Sequence, residues 1–228
     1  MLNFRRHALY FLPPEGEALA AFGARWLGWD AADGEAMAHP DIDGLPLPVD
    51  EITSTPRKYG FHGTLKPPFS LGADPAMFGD GVEALAESIA PFEAPPLRLT
   101  RLGGFLALTP GGHSEPLAKL AFACVRELDA FRSPASEAEL ARRRAKGLSD
   151  RQEEMLTAWG YPYVGPEFRF HLTLTGWFEE SVAEEIRAAL APHVAPLCET
   201  PLAVRDVAWC GEAEDGRFHL IRRFALRG

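Results

Sequence analysis

Cysteine is scarce in this chain: Cys124, Cys198 and Cys210 are the only three in 228 residues. An odd number with no Cys-x-x-Cys spacing provides neither a disulfide framework nor a zinc site, and a reducing, cytoplasmic setting is the expectation. Long apolar runs are also missing. Ala8 to Leu12 is too short for the apolar region of a signal peptide and runs straight into Pro13 and Pro14. No stretch approaches the roughly 20 apolar residues of a membrane span, so no membrane partner is expected. Positive charge is in deficit as well, with 23 Lys and Arg against 32 Asp and Glu and a formal net charge of -9. Such a balance argues against binding long nucleic acid, which depends on neutralising many phosphates with a basic surface. A small phosphorylated substrate stays open, because one phosphate needs only a local basic pocket.

What the chain does have is 46% hydrophobic content, enough for a substantial core, and 20 prolines and 21 glycines that punctuate it with turns. His7 to Leu12 reads as a strand and Glu15 to Trp29 as a helix with apolar residues at helical spacing. From Asp30 to Lys58 no period is sustained, which gives an unusually long connection, and long ordered loops are often functional. A strand at Phe61 to Lys66 is expected to stop at Pro67-Pro68, followed by a helix over Pro75 to Ala90. Strands over Pro95 to Leu102 and Gly104 to Thr109 meet at a Gly103-Gly104 turn. Glu115 to Phe131 reads as a helix. Ser136 with Glu139, and Ser149 with Gln152, have capping-box spacing and open two further helices, the second ending near Trp159. A strand over Phe168 to Thr175, a helix over Glu179 to Leu190 and strands over Leu202 to Cys210 and Arg217 to Leu226 complete the pattern.

The second half therefore repeats the first. Each contains a His-x-Thr-Leu strand, then one helix, then a hairpin whose first strand opens with Pro-Leu, at Pro96-Leu97 and Pro201-Leu202. This reads as a degenerate internal duplication. Side chains alternate across a strand, so His62, Thr64 and Lys66 are expected on one face, with Phe61 and Leu65 on the other. In the second copy Arg169, His171, Thr173 and Thr175 share a face, backed by Phe168, Phe170, Leu172 and Leu174. In-line displacement at a phosphodiester needs a base on the attacking oxygen and an acid on the leaving oxygen, on opposite sides of phosphorus. Two opposed histidines meet that need near neutral pH, while Thr hydroxyls and a nearby Lys or Arg hold the non-bridging oxygens. The scheme requires no metal and no cofactor, and neither histidine has a His-Glu-x-x-His context. A lone His-x-Thr is an ordinary strand feature; two Phe-His-x-Thr-Leu copies at equivalent places in two similar halves are not.

With these motifs the chain resembles the two-histidine (2H) phosphoesterase superfamily, whose signature is a pair of His-x-Thr/Ser-hydrophobic motifs, one per lobe. The segments Tyr59 to Phe69, Gly103 to Leu108, Glu139 to Arg144, Tyr161 to Val164 and Glu167 to Gly176 are similar to its branch of bacterial proteins associated with phosphonate-utilisation operons. That resemblance implies an α+β fold with two pseudo-symmetric lobes of antiparallel sheet, flanking helices and a central cleft. In one bilobal domain, lobe one would span about 1–112, a helical insertion about 113–166 and lobe two about 167–228, with room for strand exchange between them. It also implies His62, Thr64, His171 and Thr173 as the catalytic set.

Lys66 and Arg169 are the phosphate-binding candidates on the motif faces. Tyr59, Tyr161 and Tyr163 precede the motif strands and either stack on a base or ribose or pack as ordinary loop residues. Arg142, Arg143, Arg144 and Lys146 form either a solvated face or part of a lid over an anionic substrate. The remaining histidines, His7, His39, His113, His193 and His219, lack a Thr two residues on. The leading functional expectation is a metal-independent phosphoesterase opening a cyclic phosphodiester, such as a nucleotide or ribose cyclic phosphate. Its rivals are an RNA-end 2′-5′ phosphodiesterase or ligase, and a non-catalytic sensor of a phosphate ligand. Nothing in the sequence sets an oligomeric state.

Overall fold

The computed structural model describes residues 3–145 and 147–228. Along the chain run β1 (Arg6–Phe11), α1 (Ala18–Leu27), the short strands β2 (Trp29–Asp30) and β3 (Glu35–Ala36), α2 (Val49–Ile52), β4 (Gly63–Phe69), α3 (Pro75–Glu87), β5 (Phe92–Ala94), β6 (Leu97–Leu102) and β7 (Phe105–Pro110). There follow α4 (Glu115–Arg126), α5 (Glu137–Arg144), α6 (Asp150–Trp159), β8 (Leu172–Thr173), α7 (Glu180–Val194), β9 (Leu202–Val204), β10 (Asp206–Glu212) and β11 (Phe218–Ala225). The fold is α+β, as the family resemblance implied. A seven-stranded antiparallel sheet in the order β11-β10-β1-β4-β8-β7-β6 carries the structure, and β5 pairs with β9 in a separate ribbon.

That order places the two hairpins crosswise. The β6–β7 hairpin of the first half lies beside β8 of the second, and the β10–β11 hairpin of the second half lies beside β1 of the first. The two motif strands, β4 and β8, are therefore neighbours at the centre, joined through the pair Gly63↔Leu172.

Strand alternation sorts the two faces. Leu9, Phe11, Leu65, Phe69, Leu106, Leu108, Leu172 and Leu174 enter the main core. Ala8, Tyr10, Leu12, Ala208, Cys210 and Phe218 form a smaller cluster on the opposite face. Amphipathic helices seal the core side. In α4, for instance, Leu117, Leu120, Ala121 and Cys124 recur at helical spacing and are buried.

Several local expectations change. β4 continues through Pro67-Pro68 instead of stopping before them. Its neighbour β8 pairs with it only at Gly63, so the prolines face no ladder on that side, and register shifts against β1 absorb them on the other. The second motif strand is two residues, not eight: Gly165–Glu167 forms a 3-10 turn, and only Leu172 and Thr173 reach the ladders of β4 and β7. The expected long strand after Pro201 divides at Arg205 into β9 and β10, which belong to different sheets. The helix from Glu115 ends at Arg126, and a 3-10 turn covers Asp129–Phe131. Ser149 and Gln152 form both halves of a capping box, whereas Glu139 turns from Ser136 to an ion pair with Arg143. The long Asp30 to Lys58 connection is ordered through β2, β3 and α2, with the Arg57 guanidinium donating to the carbonyls of Leu27 and Asp50.

One anchor ties α1 to the second motif. The Trp26 indole N–H donates to the Leu174 carbonyl at 2.8 Å, and Trp26 is fully buried. This stands in for a strand hydrogen bond just beyond the short β8. Trp26→Phe keeps an aromatic ring but leaves a buried carbonyl unpaired, so we expect a loss of about 1–3 kcal/mol in denaturant unfolding. An unchanged unfolding midpoint would show that β8 needs no such support.

Candidate active site

The pair Gly63↔Leu172 fixes the geometry of the motifs. In an antiparallel register the next residues out are also opposed, so His62 lies across from Thr173 and Thr64 across from His171. The two histidines, each one residue before its strand, are diagonal neighbours across this junction. The register is pseudo-two-fold: each histidine position lies across from the other motif's threonine position. Gly63 makes the junction possible, because a Cβ there would run into the ring of Phe170. The variable position of His-x-Thr is thus held to glycine by close approach of the second half.

Each ring is oriented from behind in the same way. His62 Nδ1 lies 2.9 Å from the Gly60 carbonyl, and His171 Nδ1 lies 2.8 Å from the Arg169 carbonyl. A carbonyl only accepts, so Nδ1 carries the proton and donates in both rings, leaving each neutral ring's Nε2 as an acceptor. Thr64 Oγ1 is 3.3 Å from His62 Nε2 and can donate to it. The His62 ring packs against Tyr10, with centroids 4.0 Å apart, and against Tyr59 at 5.7 Å. Burial pushes the His62 imidazole down to about 4, opposed by its bond to Gly60 and reinforced by the like charge of His171. Burial also lowers His171. Both rings are accordingly neutral in the unliganded protein at neutral pH.

A cleft of about 620 Å³ opens over this junction, lined by His62, Thr64 and Thr173. His171 does not contribute to that lining; its ring sits 5.7 Å from Phe105, which does. Tyr59, Tyr161 and Tyr163 all line the cleft. Arg169 is exposed and stands outside it, reaching the site only through its backbone carbonyl. Thr175, expected on the histidine face, does line the cleft, but it is buried and its hydroxyl is engaged by the fold, accepting from Leu106 N and donating to the Gly176 carbonyl.

Of the basic run, Arg142 and Arg143 line the cleft, whereas Arg144 pairs with Glu153 at 2.6 Å. Lys146 lies outside the described residues. Sequence reasoning missed Arg6, Tyr10 and Lys58, which also line the cleft. The signal for the first two was present: even-numbered residues of β1 share a face, and Tyr10 pairs with Thr64. What was lacking was the knowledge that β1 lies beside β4. Among the described residues, no three His, Cys, Asp or Glu side chains are grouped to hold a metal ion. Nor is any helix long and apolar enough to cross a membrane.

Fold and site together define a mixed α/β protein with two opposed His-x-Thr strands in one antiparallel sheet. The chain belongs to the family described as Protein of unknown function (DUF1045), whose profile matches residues 64–219. Among curated proteins it is similar to two called ribose 1,5-bisphosphate phosphokinase PhnN. One, from Janthinobacterium sp. (strain Marseille), is 36% identical over 209 residues, covering 89% of this chain and 46% of that protein. The other, from Laribacter hongkongensis (strain HLHK9), is 34% identical over 220 residues, covering 95% and 51%. The chain thus spans about half the length of these relatives. Among solved structures, a phosphoesterase covers 99% of this chain and 100% of its own at 17% identity and a TM-score of 0.42. E. coli LigT complexed with 3′-AMP has the same coverage at 14% identity and a TM-score of 0.44.

Lys66 corrects the expectation from alternation. It does not line the cleft with His62 and Thr64. The register shift between Tyr10↔Thr64 and Leu9↔Lys66 inserts one residue into β4 and turns Lys66 to the core side, where Leu9 also points. There it is 2% exposed, and its Nζ donates to the Val125 carbonyl at 3.2 Å. Burial lowers its ammonium from 10.5 to about 8, opposed by Asp129. Between those values the unfolded chain binds the proton and the folded one releases it, so stability rises with pH across that window. The shift corresponds to a contribution on the order of 3 kcal/mol. In Lys66→Met this component is absent. The stability difference between wild type and variant should therefore move in favour of wild type from pH 8 to pH 10.5 in denaturant titrations, and a pH-independent difference would refute the assignment.

Proposed function

We propose that this chain is a metal-independent phosphoesterase that hydrolyses a cyclic phosphodiester, with His62 and His171 as the acid/base pair and Thr64 and Thr173 holding the phosphate. The observation that supports the reading is the register Gly63↔Leu172, which makes the two His-x-Thr motifs neighbours in one sheet beside a single cleft. One neutral Nε2 removes a proton from the attacking water; the other, protonated, supplies a proton to the leaving oxygen. The threonine hydroxyls donate to the non-bridging oxygens as charge develops. A cleft of about 620 Å³ suits a sugar phosphate or mononucleotide. Kinase activity is named for the longer relatives as whole proteins. This chain contains no Gly-Lys-Ser or Gly-Lys-Thr of a nucleotide phosphate loop. A place in phosphonate metabolism is part of the proposal, supported by the resemblance to phosphonate-operon proteins.

The test is a screen of purified protein, with and without EDTA, against nucleoside 2′,3′-cyclic phosphates, ribose cyclic phosphates and 2′-5′ dinucleotides. Turnover of a cyclic phosphate is expected to survive chelation, and His62→Ala and His171→Ala should each lower kcat by about 10² to 10⁴. Loss of activity to EDTA with recovery on adding a divalent ion would overturn the metal-free scheme, and binding without turnover would point to a sensor.

A pH profile gives an independent check. The reactive free protein has one imidazole charged and one neutral, and burial depresses both. The bell in kcat/KM is therefore expected to peak on the acid side of 6.5, reporting macroscopic values for the coupled pair. A bound anion favours the charged rings, so the kcat profile should sit at higher pH. A kcat/KM maximum above pH 7.5 would contradict this reading.

A further inference from the structure

The cleft is electrostatically unlike the protein around it. Arg6, Lys58, Arg142 and Arg143 line it, and among the described residues no Asp or Glu does, in a chain of net charge -9. Two of these cations are partly neutralised from outside the cleft, Arg6 by Glu212 at 2.5 Å and Arg143 by Glu139 at 2.8 Å. Among the described residues Lys58 and Arg142 have no carboxylate partner. A phosphodiester carries a single negative charge, and the imidazole that must be protonated already balances it. The lining cations are in excess of what one diester requires.

Two donors in the same cleft are also left over. Tyr10 is fully buried, and its hydroxyl has no hydrogen-bond partner. Burial raises that phenol well above its usual range, so it stays a neutral O–H donor. Arg143 Nε is buried and unpartnered as well. Its guanidinium stacks 4.9 Å over the ring of Tyr161, which lines the same cleft as Tyr10. A buried donor without an acceptor costs about 1–3 kcal/mol, which an acceptor oxygen bound in the cleft would recover for Tyr10 and Arg143; Arg101 Nε, also unpartnered, lies outside the cleft.

We propose that the cleft holds a second anion subsite, formed by Tyr10, Arg143 and Tyr161 within the field of Lys58 and Arg142, and that it takes a phosphomonoester group carried elsewhere on the substrate. The inference rests on the phosphoesterase reading and narrows its substrate class to cyclic phosphodiesters bearing an additional terminal phosphate. A phosphomonoester is close to dianionic at neutral pH and offers three acceptor oxygens, which matches both the excess charge and the orphaned donors.

Binding can be separated from chemistry by titration calorimetry on the His62→Ala/His171→Ala double variant. The probes are a ribose cyclic phosphate and a nucleoside 2′,3′-cyclic phosphate, each with and without a 5-phosphate. The phosphorylated member of a pair is expected to bind about tenfold to a hundredfold tighter, the range for charge-assisted hydrogen bonds. Adding Arg143→Gln or Tyr10→Phe should bring that ratio towards one, and Tyr10→Phe retains the ring that packs on His62. Equal affinities within both pairs, no binding by any probe, or a preference that survives both substitutions would overturn the subsite. A preference in binding with no turnover by the wild-type protein would support the subsite while overturning the proposed activity.

Discussion

The approach of β4 to β8 at Gly63 and Leu172 is the constraint on which the site depends. The two motif strands meet through that pair at the centre of one sheet, and the pair sets which positions oppose one another. The contact is narrow. β8 is only two residues long, the ring of Phe170 occupies the place of a Gly63 side chain, and the Trp26 indole closes the backbone beyond. A side chain at position 63 would run into the Phe170 ring, so one of the two would have to move. The crossed hairpins reinforce this junction from outside, since each half is held in place by strands belonging to the other.

Around that junction, charge is distributed against the grain of the composition. Carboxylates dominate the chain as a whole, yet the cleft is walled by cations, tyrosines and threonines. Glu212 and Glu139 hold Arg6 and Arg143 from behind, which orients the guanidiniums without placing a carboxylate where a phosphate would sit. The surrounding negative charge disfavours long polyanions, while the local basic wall favours a small one that fits inside. The Nδ1 bonds to Gly60 and Arg169 carbonyls complement this by presenting both Nε2 atoms as acceptors.

Legibility of the site from sequence followed the range of the interactions involved. The histidines and threonines were visible because a strand motif repeats with period two and recurs in both halves. Lys66 obeyed the same period and was misplaced, because the bulge that turns it to the core arises from pairing with β1, 55 or more residues away. Arg169 fell on the correct strand approach but before the ladder begins, so alternation did not govern it. Arg142 and Arg143 had two readings in the sequence, and only the packing of α5 beside the cleft distinguished them from Arg144, which turns to Glu153.

The sequence by itself determined the features whose causes are local: the amphipathic helices, the Ser149 cap, the Gly103-Gly104 turn and the duplicated Phe-His-x-Thr-Leu motifs, though not the length of the second motif's strand. Periodicity, capping and turn geometry act over a few residues and need no partner to be read. Only the tertiary structure decided which strands are neighbours. That choice exchanged the hairpins, brought Arg6 and Tyr10 to the cleft, removed Lys66 from it and set His62 across from Thr173. Strand order is fixed by the burial of both sheet faces at once, a condition that no single segment of sequence contains.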